Sequence, residues 1–225
     1  MRWLLVLAVT LCACPSSQRM DTDVVGDVAE TAGNDIARLK LAVEDIAGAA
    51  GDLTEEGARE TAEGCEDTVG DCDLCWELDG GYLNGTYTAE TTPAACGVDW
   101  SIRGALATYT VDTSSLSGGW TASSLAGDYT LTMSGSRSAS LVTTTRDGTA
   151  TRDASWTLSS LEATTVDFEV TSVAATLTYT GFGDHVWTLA LSGDAAGPTG
   201  SLTVDDGSAS CTVGGTWESP TLGCM

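Results

Sequence analysis

Eight cysteines and one histidine are the residues of this 225-residue chain whose types carry the most chemistry. Cys12 and Cys14 stand one residue apart. Cys65, Cys72 and Cys75 crowd into CEDTVGDCDLC, Cys96 follows, and Cys211 and Cys224 lie near the end. Thiols bond to one another, ligate a metal or carry a lipid, and the compartment decides among these. The Cys72-x-x-Cys75 step, with Cys65 and Cys96, has the ligand count of a four-thiolate zinc site. Only half of the usual doubled C-x-x-C is present, so no metal and no cofactor is expected. In an oxidising compartment, the even set Cys65, Cys72, Cys75, Cys96, Cys211 and Cys224 reads as three disulfides. Sequence does not choose among the pairings. Proximity favours Cys211 with Cys224, stapling the tail to the last strand, and the other four among themselves.

His185 sits in GFGDHVW beside Asp184. Neighbouring residues on a strand point to opposite faces, so this pair makes no base and orienter. No nucleophile-elbow G-x-S-x-G, phosphate-binding glycine loop or calcium-loop spacing occurs. No catalytic residue is assigned, and the chain is not expected to be an enzyme.

The thiols at the N-terminus have a different setting. Arg2 is followed by the apolar run Trp3 to Leu11, about right for a signal peptide and too short to span a bilayer as a helix. The run ends Leu11-Cys12-Ala13-Cys14, which resembles the lipobox of bacterial lipoproteins: Leu at −3, a small residue at −1, then the cysteine that becomes residue one. The resemblance covers only these first residues. It implies cleavage before Cys14, discard of Cys12 with the signal, and a lipid on Cys14. Several acyl chains on one residue hold firmly where one chain does not. Pro15 stands where an aspartate would retain the protein at the inner membrane, so the resemblance implies an outer-membrane address, lipid-anchored in the cell envelope. Export in turn supports the disulfide reading of the remaining six thiols.

Residues 1–13 thus read as a signal peptide and 14–23 as lipid anchor and polar linker. In the next segment Val25, Ala29, Ala32, Ile36, Leu39, Val43, Ile46, Ala50 and Leu53 step alternately by four and three, the apolar seam of one long helix. Gly26, Gly33, Gly48 and Gly51 weaken that helix. Residues 24–64 read as an acidic helical spacer, or a helix packed within its own chain, in preference to a coiled coil.

From Trp76 onward the apolar period becomes two. It is seen at Val98, Trp100 and Ile102; at Tyr129, Leu131 and Met133; and at Val166, Phe168 and Val170. It recurs at Val173, Ala175, Leu177 and Tyr179; at Trp187, Leu189 and Leu191; and at Leu202 and Val204. Asp147-Gly148 and Asp206-Gly207 predict hairpin turns, and Asn84-Gly85 a third. Residues 65–225 therefore read as a disulfide-stapled antiparallel β domain. The fold class is mainly β: a barrel, sandwich or curved meander of about eight to ten strands, preceded by one acidic helix.

The net charge is −23, and 18 of the 32 acids fall between residues 20 and 79. Such a surface repels phosphate backbones and excludes nucleic-acid binding. The partners expected are the membrane, through the lipid anchor, and an unknown envelope protein or ligand. The leading expectation is a structural or interaction role in the envelope. The alternative is a lipocalin-like carrier of an apolar ligand in a β-barrel cavity. Gly118-Gly119-Trp120 resembles the G-x-W of lipocalins, displaced to mid-chain, and tryptophans along the sheet would line such a cavity.

Overall fold

A computed structural model of the chain describes residues 22–53, 60–65, 74–81, 83–91, 97–102, 105–122, 127–145 and 148–225. One helix, α1 (Thr22–Asp52), precedes the strands. These are β1 (Glu60–Cys65), β2 (Leu74–Gly81), β3 (Asn84–Thr91), β4 (Gly97–Ile102), β5 (Ala105–Ala122) and β6 (Tyr129–Thr145). They continue as β7 (Gly148–Val166), β8 (Glu169–Phe182), β9 (His185–Asp194), β10 (Gly197–Val204), β11 (Ser210–Gly215) and β12 (Pro220–Cys224). All pair antiparallel in the order β1-β2-β3-β5-β6-β7-β8-β9-β10-β11-β12, with β4 paired to the first residues of β5, Ala105 to Thr110. Among barrel, sandwich and meander, the open curved meander is the form taken: the strand path does not close on itself. Among the described residues the strands number twelve, slightly above the eight to ten expected; the short strands β1 and β12 are not among the period-two runs read in the sequence.

The curvature has a visible cause. Helix α1 touches β1 and β2 at one end of the strand order, β12 at the other, and β6, β7 and β8 between them. The sheet therefore wraps the helix. Ala32, Ile36, Leu39, Val43, Ile46, Ala50 and Leu53 of the apolar seam are buried, and Val25 and Ala29 lie half-buried against the same core. Opposite them, Leu78, Leu131, Leu158, Leu177, Leu189 and Leu202 are buried from successive strands. Burying one such side chain contributes roughly 1.5–3 kcal/mol, so a seam this long is not left in water.

Of the two alternatives for the helix, spacer or packing within its own chain, the second is the one observed: its seam lies in the core shared with the sheet. The sheet begins at Glu60, ahead of the boundary drawn at residue 65. The helix also buries a polar row that the seam did not announce: Asp27, Thr31, Asp35 and Arg38. The Thr31 hydroxyl donates to the Asp27 carbonyl at 2.8 Å.

Asp147 of the expected Asp147-Gly148 turn lies outside the described residues, and Asp206-Gly207 sits within a longer loop between Val204 and Ser210 instead of forming a two-residue turn. The turns differ from expectation in two further places. Asn84 and Gly85 open β3; the reversal falls just before them, since Gly81 pairs with Asn84. Gly85 is small for a packing reason: a Cβ there would run into the indole of Trp120, and one on Gly80 opposite would come within 3.0 Å of the same ring. The second place is Val166-Asp167-Phe168-Glu169, whose alternation reads as strand. It is the β7–β8 turn, with Asp167 at φ 51° and Phe168 at φ 69°. L-residues pay for that conformation. Tertiary bonds hold it: the Phe168 amide donates to the Gly127 carbonyl at 3.0 Å, as does the Thr165 hydroxyl at 3.0 Å.

Tyr87 shows how closely the strands are tied. Its buried hydroxyl donates to the Thr132 carbonyl at 2.6 Å, reaching from β3 across β5 to β6. Gly118 makes room for it: a Cβ there would stand 2.7 Å from the Tyr87 oxygen. Burial pushes the phenol well above its ordinary range. The native state therefore keeps its proton at pH values where the unfolded chain, titrating near 10, has lost it. The stabilisation from this group is complete below about pH 10 and is lost progressively above it. Urea unfolding at pH 9 and pH 11 is expected to show an alkaline loss that Tyr87→Phe reduces. An unchanged pH dependence in the variant counts against the assignment.

Candidate functional site

The residues singled out by their chemistry are distributed as follows. Cys14 and the lipobox-like run Leu11-Cys12-Ala13-Cys14 lie outside the described residues, as do Cys72 and Cys96. Cys65 closes β1 directly opposite Cys75 of β2 in the strand register. Cys75 is disulfide-bonded, so its sulfur is not a thiolate open to zinc. Cys211 and Cys224 form a disulfide across the β11–β12 pair, where they are register partners. The stapled tail expected from their positions is thus present.

Trp76, Trp120, Trp156, Trp187 and Trp217 are all buried, and α1 packs against strands from both ends and the middle of the sheet. Trp120, the tryptophan of the lipocalin-like triplet, is seated on Gly80 and Gly85. Trp217 is seated on Gly193 and donates its indole N–H to the Asp194 carbonyl at 2.8 Å. A half-open groove of about 380 Å³ lies outside the core. It runs between Ala29, Gly33 and Ala37 of α1 and Pro220 and Leu222 of the β11–β12 hairpin. Glu30 lines it, and partial burial raises that carboxyl above its usual value. Lys40 pairs with Glu44 at 2.7 Å and stands 3.9 Å from Glu218, a bridge from helix to hairpin.

The constellation with the most defined chemistry is at the end of the sheet where β8 turns into β9 and β10 into β11. His185 is the first residue of β9. Its Nδ1 is 3.3 Å from Asp205 Oδ1 and 3.8 Å from Asp206 Oδ2. Two consecutive residues converge on one ring because they have left the strand. β10 ends at Val204 and the loop runs to Ser210, with Gly207 at φ 71°. The Asp205 amide donates to the Val186 carbonyl at 2.9 Å, which fixes the loop beside β9. The Asp206 carboxylate accepts from the Ser208 amide through Oδ1 at 2.8 Å, leaving Oδ2 towards the histidine. Hydrogen bonds from Ser208 hold the Asp206 carboxyl below its usual range, with a smaller contribution from His185.

No protein-family model, no curated protein and no solved structure matches this chain. Its chemistry is therefore read from its own residues. Sequence reasoning named His185 but paired it only with Asp184, its chain neighbour. Asp205 and Asp206 are twenty and twenty-one residues further on, and the β9–β10 pairing of Trp187 with Val204 brings them alongside. The signal available in the sequence was the hairpin read at Asp206-Gly207: counting back along β10 and β9 from that turn leads to His185.

Proposed function

We propose that this chain is a lipid-anchored protein of the bacterial cell envelope, with a structural or interaction role and without catalysis. The observation that carries the reading is Leu11-Cys12-Ala13-Cys14, a lipobox directly after a signal-length apolar run. The Cys211–Cys224 disulfide supports export to an oxidising compartment. Among the described residues, no helix is long and apolar enough to cross a membrane. A structural or interaction role is favoured over carriage because helix and aromatic side chains occupy the concave side of the sheet.

Attachment rests on Cys14. Wild-type protein is expected in the membrane fraction, with an intact mass exceeding the processed polypeptide by its acyl groups. Cys14→Ser is expected to lose that mass and leave the membrane. A variant that stays membrane-bound, or a wild-type protein that carries no acyl mass, overturns the reading.

A further inference from the structure

The geometry points to a transition-metal site, of zinc type, formed by His185 Nδ1, Asp205 and Asp206. The three donor atoms lie within 4.8 Å of one another. Donors about 2.0–2.2 Å from a tetrahedral zinc ion stand roughly 3.3–3.6 Å apart, by the geometry of the tetrahedron. The 3.3 Å separation between His185 and Asp205 falls at that spacing, and the 3.8 Å separation between His185 and Asp206 lies just beyond it. An ion is accommodated by small adjustments of exposed side chains, without moving the strands.

Three further features set this group apart from the acids scattered over the surface. The donors come from two different turns, tied together by the Asp205 amide to Val186 carbonyl bond at 2.9 Å. Two carboxylates face the same imidazole, and among the described residues neither forms an ion pair with lysine or arginine. One donor is an imidazole nitrogen, which selects zinc, copper or nickel over calcium and magnesium, the cations of all-oxygen sites. The remaining coordination positions face solvent, since His185 is one-third exposed and both aspartates about half. The ligand class is therefore a borderline divalent metal, with water or a partner's side chain completing the shell.

The chain has one histidine, so a single set of imidazole resonances reports on the site without assignment ambiguity. Zinc is titrated into the full chain in detergent, with calcium in excess to saturate loose acidic binding. The expected result is one zinc per chain by calorimetry, together with a shift of the histidine resonance that saturates at the same stoichiometry. His185→Gln is expected to weaken this binding at least tenfold, as is Asp205→Asn/Asp206→Asn. Thermal unfolding of each apo variant, expected to match wild type, separates loss of the site from loss of the fold. Zinc binding with the same affinity in His185→Gln, or a histidine resonance indifferent to zinc, overturns the assignment and leaves only adventitious binding to surface acids.

Discussion

Ile36→Asp is expected to leave the chain without a stable fold. Ile36 is fully buried near the middle of α1, within the core shared by helix and sheet. The substitution removes about 2–3 kcal/mol of apolar transfer energy. It also places a carboxylate where no water reaches, which costs several kcal/mol more or forces the group to take up a proton. A domain of this size holds about 5–15 kcal/mol in all, so the loss consumes most of it. The same logic runs in the other direction at Gly48. Nothing lies within 4 Å of a Cβ built there, and Gly48→Ala is expected to stabilise the whole protein by roughly 0.5–1 kcal/mol through helix propensity and unfolded-state entropy. Urea unfolding followed by tryptophan fluorescence reports the sheet, where Trp187 is fully buried. If α1 were a spacer independent of the sheet, neither substitution would move that transition.

The sheet was largely legible because period-two burial leaves a direct trace. Val173, Ala175, Leu177 and Tyr179 are buried on β8, as the alternation requires, and Trp187, Leu189 and Leu191 on β9. The helix was legible as a helix for the same reason, with its period of three and four. What covers its seam was not legible, since the seam of a core helix and that of a coiled coil have the same pattern. Contact with both ends of the strand order decides the matter. The β7–β8 turn was hidden for a different reason. Asp167 and Phe168 carry no glycine or asparagine to announce positive φ, and the turn is held by bonds to Gly127, far away in sequence. Glycines misled in the opposite sense at Asn84-Gly85, where a small residue serves packing against Trp120 and not reversal of the chain. The His185 cluster was invisible to local reading because its donors converge only through the register of β9 and β10.

Replacing both partners of the terminal disulfide, Cys211→Ala/Cys224→Ala, is expected to lower stability by about 3 kcal/mol, the loop-closure value for a short loop. The two cysteines are separated by 13 positions. The loss is expected to be concentrated at the edge of the sheet. β12 is five residues long and pairs only with β11, and its first residue, Pro220, has no amide to donate. Cys211 is fully buried whereas Cys224 is exposed, so the bond ties an exposed edge to the core. Its release also reaches the helix. Leu222 of β12 is half-buried and packs towards Gly33 of α1, where a Cβ would meet it at 3.6 Å. Once β12 frays, that face of α1 is wetted. Hydrogen exchange is therefore expected to accelerate first at the amides of β12 and β11, then along the Gly33 face of α1, before the amides of β6 to β9 change. A uniform acceleration across all strands would mean that the bond acts only by restricting the unfolded chain. Unaltered exchange, with stability within about 0.5 kcal/mol of wild type, would mean that the edge is held by the β11 ladder and by α1 without it. The predicted order of exchange separates a staple on a weak edge from both of these, because only loss of such a staple frees β12 first and then uncovers the face of α1 that Leu222 packs against.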